Sequence, residues 1–248
     1  MEIKTKIYRR QQQVRSYDID ENLELKLNVI FQWFSEIAWE HAKILGIGFE
    51  ELKNVDKFWV LNSVNVEINK LPKWQDQLIL ETWPSGISGI QYTREFQFYD
   101  DKQNVLIAAS SSWVIIDKNT LRPILPPEFS YLDELLKEKA TDNLLKKIPL
   151  HKDLKFETEE TARYTDIDMH HHVNNAVYVN WIENIMGNIL PNKIKRFKIQ
   201  FSNELKLGDK VSIFTKKENN YIYWESLKSD DKVCFRAEAE FENNLEIN

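Results

Sequence analysis

Residues 27–45 read LNVIFQWFSEIAWEHAKIL and contain neither proline nor glycine. Apolar side chains recur in this segment at helical spacing, and a glycine, a frequent helix terminator, follows at position 46. Phe31 and Trp39 extend the apolar surface around much of the circumference. Because a helix that is apolar on most sides must be covered, we predict a buried helix wrapped by a curved sheet.

The sequence repeats itself. The alternating segment SVNVEI at 63–68 is matched by RFKIQF at 196–201, 133 positions further on. Upstream, the Asp-Ile-Asp run at 18–20 is matched by the same run at 166–168, 148 positions further on. The apolar residues that follow each run match at the same spacing. Two matches in the same order predict an internal duplication.

Each copy is predicted to contain a lead-in strand, one long helix and several antiparallel strands, which is an α+β fold. In the first copy we predict strands at 60–68, 77–83, 90–99 and 105–116. In the second copy we predict a helix at 175–189 and strands at 196–201, 210–217, 221–229 and 233–241. The proline-containing stretch 119–150, with a charged helical piece near 131–139, is predicted to link a domain at 1–118 to a domain at 151–248.

The composition restricts the function classes. The chain has 248 residues and a formal charge of −6, whereas nucleic acids and anionic lipids attract clustered positive charge, so neither is expected as a partner. The single cysteine, Cys234, cannot form an internal disulfide and suits a reducing compartment. We find no signal peptide and no segment with the roughly 20 apolar residues that span a bilayer. A cytoplasmic protein without membrane insertion is therefore expected.

The segment DIDMHHHVNN at 166–175 contains three of the five histidines, directly before the second predicted helix. Histidines at a helix start can move protons near neutral pH, and the N–H groups of Val173, Asn174 and Asn175 can stabilise a carbonyl oxygen as it gains charge. Two simpler interpretations stay open, a solvated loop and an asparagine that only caps the helix. His170 and His172 could share a metal, but no third ligand occurs at a defined spacing, so we expect no metal.

The repeat supplies one more candidate residue. It aligns Glu204 with Leu71, so a position that is apolar in the first copy holds a carboxylate in the second. A buried carboxylate is costly, so we expect this one to have a partner or a role, unless the side chain simply faces water. Because the histidines of 170–172 have no histidine counterparts in the first copy, we expect the chemistry in the second copy.

Together these residues resemble the acyl-acyl carrier protein thioesterases of fatty-acid synthesis. The resemblance covers almost the whole chain and includes RSYD at 15–18, FQWFSEIAWEHA at 31–42, DID at 166–168 and HVNN at 172–175. It implies a tandem (double) hotdog fold, in which each long helix is wrapped by a curved antiparallel sheet. It also implies that the first hotdog shapes an acyl-chain pocket and that the second holds the catalytic residues. No cofactor is expected.

The family motif D-x-N-x-H, followed later by a glutamate, is matched by Asp168, His172 and Glu204. His170 stands at the asparagine position, where an imidazole has a different reach from an amide, so its role is the least defined. Plant members often carry a cysteine after the glutamate. Leu205 stands there in this chain, which excludes thiol catalysis at that position.

The resemblance implies hydrolysis of the thioester that joins a fatty acyl chain to the phosphopantetheine arm of acyl carrier protein. Glu204 with His172 would activate a water, and the helix start would hold the oxyanion. Asp168 would orient or polarise the site. Direct attack by Asp168 through an anhydride is an open alternative.

The implied partner, acyl carrier protein, is acidic like this chain, so docking needs a local positive patch. The candidates are Lys193, Lys195, Arg196 and Lys198, which are equally well explained as the polar face of an alternating strand. The alternatives for the function are a hotdog thioesterase that acts on acyl-CoA and a non-catalytic acyl-binding module. Chain-length preference stays open, and so does the choice between a monomer and a homodimer.

Overall fold

A computed structural model of the chain describes residues 6–124, 138–141, 146–187 and 194–242. The contacts divide the chain into two compact units. Unit 1 comprises Met1–Lys26 and Gln32–Leu145, and unit 2 comprises Leu27–Phe31 and Lys146–Asn248. Most of the predicted linker helix at 131–139, and residues 142–145 of the predicted linker, lie outside the described residues.

Unit 1 is an antiparallel sheet with one long helix. Its elements are β1 (Tyr8–Gln13), α1 (Leu27–Leu45, whose first five residues group with unit 2), α2 (Phe49–Lys53), β2 (Lys57–Ile68), β3 (Gln77–Ser88), β4 (Gln91–Tyr99), β5 (Val105–Asp117) and β6 (Arg122–Pro123). The strand order is β1-β3-β4-β5-β2, and β6 pairs with β5. The α+β character expected from the sequence is therefore present in this unit.

Helix α1 begins at Leu27 and ends at Leu45, as the sequence pattern predicts. It ends there because Gly46 adopts the left-handed conformation (φ 73°, ψ 28°) and its N–H reaches the carbonyls of Ala42 and Lys43. The ring of Phe34 packs 4.5 Å from that of Phe96 on β4, and both side chains are buried. The apolar helix is thus covered by the sheet, which removes its large apolar surface from water.

Unit 2 repeats this arrangement. Its elements are β7 (Lys155–Thr161), α3 (Asn175–Met186), β8 (Ile194–Phe201), β9 (Lys210–Glu218), β10 (Tyr221–Lys228) and β11 (Val233–Phe241), with the strand order β8-β11-β10-β9-β7. Tyr178 of α3 packs its ring against Phe201 of β8 and Phe235 of β11. The predicted end of this helix at 189 lies outside the described residues, of which 187 is the last before the gap.

The loops before the two helices are built alike, as a duplication requires. In unit 1 the Arg15 N–H donates to Asp18 Oδ2 over 2.7 Å. In unit 2 the Arg163 N–H donates to Asp166 Oδ2 over 2.7 Å, 148 positions further on. The upstream match in the sequence therefore corresponds to a shared turn.

The second matched segment shows the same correspondence at the other spacing. The Lys73 N–H donates to Asp76 Oδ2 over 2.8 Å, and the Lys206 N–H donates to Asp209 Oδ2 over 2.9 Å, 133 positions further on. Within the described residues, no helix is long and apolar enough to cross a membrane.

Candidate active site

The histidine-containing loop of unit 2 is closed by backbone pairing. Ile167 and Val173 form an antiparallel bridge, and the Asp168 N–H donates to the His172 carbonyl over 2.9 Å. His171 takes a positive φ of 64° at the tip. The Asp168 carboxylate stabilises the loop, because its Oδ1 accepts hydrogen bonds from the His170 N–H at 2.8 Å and the His172 N–H at 3.4 Å.

Unit 1 contains the same loop without the histidines. There Asp20 Oδ1 accepts the N–H of Asn22 at 2.8 Å and that of Glu24 at 3.0 Å. The aspartate is therefore needed to shape the loop even in the copy that lacks the histidines. Asp168 has a structural role that is independent of any chemistry.

The loop brings His172 to Glu204. The Nε2 of His172 lies 3.0 Å from Oε2 of Glu204, and the side chains are 27% and 55% exposed. They meet because the Val173 N–H donates to the Leu205 carbonyl over 2.8 Å, which fastens the glutamate's turn to the loop. Of the two alternatives left open for Glu204, a buried carboxylate and a side chain that faces water, the structure shows a side chain that is largely exposed. The carboxylate does have partners, since Lys206 Nζ lies 3.5 Å from its other oxygen.

The corresponding place in unit 1 holds a different pair. Glu24 stands where His172 stands in unit 2, and its Oε1 lies 3.7 Å from Nζ of Lys73. Leu71 occupies the position of Glu204. Unit 1 thus has an ordinary ion pair where unit 2 has an imidazole and a carboxylate. The sequence analysis did not select Lys73 or Lys206, although the repeat aligns these two lysines with each other.

His170 is half-buried beside this pair. Burial lowers the pKa of His170, and the neighbouring histidines lower it further, against the opposing effect of Asp168. The imidazole at the family's asparagine position is therefore neutral at pH 7, as an amide would be.

The N-terminus of α3 offers fewer free donors than the sequence suggested. Asn174 caps the helix, and its side chain accepts the Ala176 N–H at 2.9 Å. Its own N–H donates to the Asp166 carbonyl, and the Val173 N–H is engaged by Leu205. Of the three predicted oxyanion donors, only the Asn175 N–H has no acceptor among the described residues. The N–H groups of Val173 and Asn174 already donate to backbone carbonyls.

The equivalent point on α1 binds a carboxylate. The N–H groups of Leu27 and Asn28 donate to the two oxygens of Glu183, at 2.5 and 2.9 Å. Leu27 aligns with Asn175 in the repeat. The chain itself therefore demonstrates that this helix position accepts a negative oxygen, as expected at the positive end of a helix dipole.

Two family models match the chain in the order of its two units. The model described as the acyl-ACP thioesterase N-terminal domain matches residues 5–130, and the model described as the acyl-ACP thioesterase C-terminal domain matches residues 133–244. The chain belongs to the acyl-ACP thioesterase family. The resemblance that was inferred from the sequence motifs is thereby confirmed.

Curated relatives carry the same family name. Oleoyl-acyl carrier protein thioesterase 2 of Arabidopsis thaliana is 27% identical over 236 residues, which cover 83% of this chain and 61% of the relative. Dodecanoyl-[acyl-carrier-protein] hydrolase of Umbellularia californica is 27% identical over 219 residues, which cover 80% of this chain and 56% of the relative. The chain thus spans less than two thirds of the length of these relatives.

Solved structures of the family share the fold. An acyl-ACP thioesterase from Bacteroides thetaiotaomicron VPI-5482 superposes with a TM-score of 0.89 and 25% identity, covering 96% of this chain and 98% of that one. The 12:0-ACP thioesterase from Umbellularia californica superposes with a TM-score of 0.85 and 21% identity, covering 98% and 100%. The predicted α+β tandem hotdog fold is confirmed.

The residues predicted to dock the carrier protein differ in their surroundings. Lys193 lies outside the described residues, and Lys195 is exposed. Arg196 pairs with Glu240, directly opposite on β11. Lys198 is only 8% exposed. The Nζ of Lys198 lies 3.8 Å from Oε1 of Glu238, which is also on β11. Among the described candidates, Lys195 is therefore the most accessible positive charge.

Two further ionisable groups of unit 2, the Cys234 thiol and the Tyr178 hydroxyl, belong to buried side chains. Cys234 is buried, and burial raises its pKa to about 11, so the thiol stays protonated at neutral pH. The buried Tyr178 hydroxyl is close enough to Glu204 and Asp168 that they add to the effect of burial in raising its pKa. Among the described residues, no group of three or more His, Cys, Asp or Glu side chains is arranged to hold a metal ion.

Unit 1 contains an open cavity of about 530 Å³, including the solvent at its mouth. Its lining is mainly aromatic and aliphatic and includes Trp39, Trp59 and Trp113. Trp33 and Phe34 of α1 are not part of this lining and pack on Phe98.

Proposed function

We propose that this acyl-ACP thioesterase family member hydrolyses fatty acyl-acyl carrier protein thioesters, releases the free fatty acid and so ends chain elongation. The observation that carries the proposal is the 3.0 Å contact between His172 Nε2 and Glu204 Oε2 beside the start of α3. Family membership supports the thioester as the bond that is cut. The relatives' names support an acyl chain carried by acyl carrier protein.

The His172–Glu204 contact supports general base catalysis. A carboxylate oxygen accepts hydrogen bonds, so the proposal puts the imidazole proton on Nε2 of His172, 3.0 Å from Glu204 Oε2, and the lone pair on Nδ1. In the proposed reaction Nδ1 takes a proton from water while the water oxygen attacks the thioester carbonyl. Glu204 stabilises the imidazolium that forms. The carbon–sulfur bond then breaks, the electron pair goes to sulfur, and the imidazolium returns the proton to the thiolate.

The oxyanion of this reaction is assigned to the N-terminus of α3. We place it on the Asn175 N–H, because the Val173 and Asn174 N–H groups already donate to carbonyls of the protein. The carboxylate on the equivalent N–H of Leu27 supports this assignment. Oriented donors of this kind stabilise charge that develops only in the transition state.

Asp168 is proposed to shape the loop rather than to attack the substrate. Its Oδ1 holds two backbone N–H groups, as Asp20 does in the unit without the histidines. The test is a single turnover in oxygen-18 water. With water as the nucleophile the label enters only the released acid. Label in the carboxylate of Asp168 would show the anhydride route.

The two hotdogs are proposed to have different tasks. The apolar cavity supports acyl-chain binding by the N-terminal hotdog, predicted at 1–118, and the His172–Glu204 pair supports catalysis in the C-terminal hotdog, predicted at 151–248. The stretch 119–150 remains the proposed linker. A cytoplasmic location stays a prediction, since the relatives are named chloroplastic, and a homodimer stays open.

The activity test compares carriers at equal chain length. The protein is incubated with acyl-acyl carrier protein and acyl-CoA substrates of graded length, and the released fatty acid is measured. We expect a higher kcat/KM for the carrier-protein substrates, with the activity lost in His172→Ala. Faster hydrolysis of acyl-CoA would favour the CoA-dependent alternative, and binding without release would favour a non-catalytic module.

A further inference from the structure

Arg94 of β4 is a buried cation without an anionic partner among the described residues. It is 8% exposed. Its Nη1 donates to His41 Nδ1 at 3.1 Å and to Thr82 Oγ1 at 3.2 Å, and both of these side chains are fully buried. Because Arg94 donates to Nδ1 of His41, this nitrogen carries no proton. Neither contact compensates the guanidinium charge.

The adjacent carboxylate is committed elsewhere. Glu95 is fully buried, and its Oε1 accepts Ser85 Oγ at 2.5 Å and lies 3.3 Å from Lys139 Nζ. Its Oε2 accepts the Ala140 N–H at 3.1 Å. Glu95 is therefore neutralised by its own partners and does not serve as the counter-ion of Arg94.

A charge in this position is costly, which calls for an explanation. Burial lowers the pKa of Arg94 to about 10, so the guanidinium is still charged at pH 7. A guanidinium has five N–H donors, of which those on Nη1 contact His41 and Thr82. An uncompensated buried charge destabilises the fold, and guanidinium groups are suited to bind carboxylates through two parallel hydrogen bonds.

The cavity beside Arg94 restricts what such an anion can be. Arg94 lines the open cavity of unit 1 together with Trp39, Trp59 and Trp113. Apolar and aromatic walls with a few placed polar groups are typical of small-molecule sites. A small hydrated anion would gain nothing from the aromatic lining, whereas an anion on an apolar chain would contact both the lining and the charge.

We propose that Arg94 binds the carboxylate of an aliphatic acid whose chain lies among the tryptophans of the unit 1 cavity. The aliphatic chain rests on the proposed function, because that reaction releases a fatty acid, while the carboxylate rests on Arg94 alone. A plain acyl thioester has no charged end for Arg94. Two ligands carry such a carboxylate on an aliphatic chain. One is the free fatty acid product, and the other is an acyl thioester whose chain ends in a free carboxylate.

Direct binding to the wild-type protein is the first test. Decanoate below its micellar concentration and decan-1-ol below its solubility limit are titrated while tryptophan fluorescence is followed. We expect decanoate to bind at least about tenfold more tightly, which corresponds to hydrogen bonds to a charged group. Equal affinities would overturn the carboxylate site and leave acyl binding intact. Failure of both ligands to bind would overturn the site and also the acyl-pocket assignment.

Variants locate the site. Arg94→Met should lose the preference for decanoate over decanol, and Arg94→Lys should keep part of it. The matched control is Arg122→Met, which removes an exposed arginine of the same unit and should keep the full preference. If Arg94→Met does not fold, the comparison of acid and alcohol on the wild-type protein still decides.

Steady-state kinetics distinguish the two sources of the carboxylate. Inhibition of decanoyl-acyl carrier protein hydrolysis by decanoate, relieved in Arg94→Met, would identify the product as the ligand. If Arg94→Met instead slows hydrolysis of an acyl thioester whose chain ends in a free carboxylate more than it slows hydrolysis of the plain thioester, the ligand of Arg94 is the substrate. If Arg94→Met changes neither, the proposal is overturned. Hydrolysis of the plain thioester by the wild-type enzyme reports on the proposed function separately.

Discussion

His172 Nε2 lies 3.0 Å from Glu204 Oε2, although 31 residues separate the two in the chain. A single backbone hydrogen bond between their neighbours, from the Val173 N–H to the Leu205 carbonyl, fastens one segment to the other. The equivalent bond joins Leu25 to Pro72 in unit 1 at the same length of 2.8 Å. The duplicated backbone thus supplies the geometry, and the residue types in unit 2 supply the chemistry.

Glu204→Gln should lower kcat about 10²- to 10⁴-fold, because an amide cannot stabilise the imidazolium that forms on His172. The double variant with His172→Ala should be no slower than His172→Ala alone, since the two act as one unit. The matched control Glu24→Gln changes the corresponding place in unit 1 and should keep kcat. A Glu204→Gln enzyme with more than a tenth of the wild-type kcat would contradict this role.

Asp168→Ala should lower the free energy of unfolding by about 1 kcal/mol for each net hydrogen bond lost at Oδ1. Asp20→Ala should cost a similar amount, because it breaks the corresponding loop. Asn at either position keeps the accepting oxygen and should restore most of the loss. Denaturant unfolding measures the four variants. A loss at Asp20 without one at Asp168 would refute the shared loop role, and the kcat of folded Asp168→Asn then isolates any chemical role.

Lys195→Glu should raise KM for acyl-acyl carrier protein several-fold and leave KM for a small thioester unchanged, because a surface charge acts mainly on the encounter with the acidic carrier. Lys217→Glu, an exposed lysine on β9, is the matched control and should change neither. The effect should shrink at high salt. Equal changes for both substrates would refute a docking role for this residue.

Cys234 should react slowly with thiol reagents in the native protein. With a pKa of about 11, only about one thiol in a thousand is ionised at pH 8, and the side chain is buried as well. The rate should rise as the pH increases towards 11 and should jump on unfolding. Because the chain has a single cysteine, one labelled thiol per denatured chain calibrates the measurement. Cys234→Ala should keep kcat, and loss of activity in a folded variant would contradict the water mechanism.

The sequence predicted the long helix of unit 1 at its true bounds, because its apolar period and Gly46 are both local signals. It missed α2 at Phe49–Lys53, which is too short to show a period. It also ended β3 at residue 83, because Pro84 and Gly86 are typical strand breakers. In the structure the strand continues to Ser88, since the register shift between Pro84 and Gly86 accommodates both residues.

For the site, the repeat singled out the histidines and Glu204, since aligned copies reveal where one residue type departs from the other. The family resemblance then added Asp168 and grouped it with His172 and Glu204 as candidate site residues. The tertiary structure alone decided that Glu204 is half-exposed, that Lys198 is buried beside Glu238, and that Arg94 has no anion among its described neighbours. The physical reason is that burial and pairing depend on which strands and turns meet across the fold. Local sequence patterns report the period of a segment but not its register with a distant one.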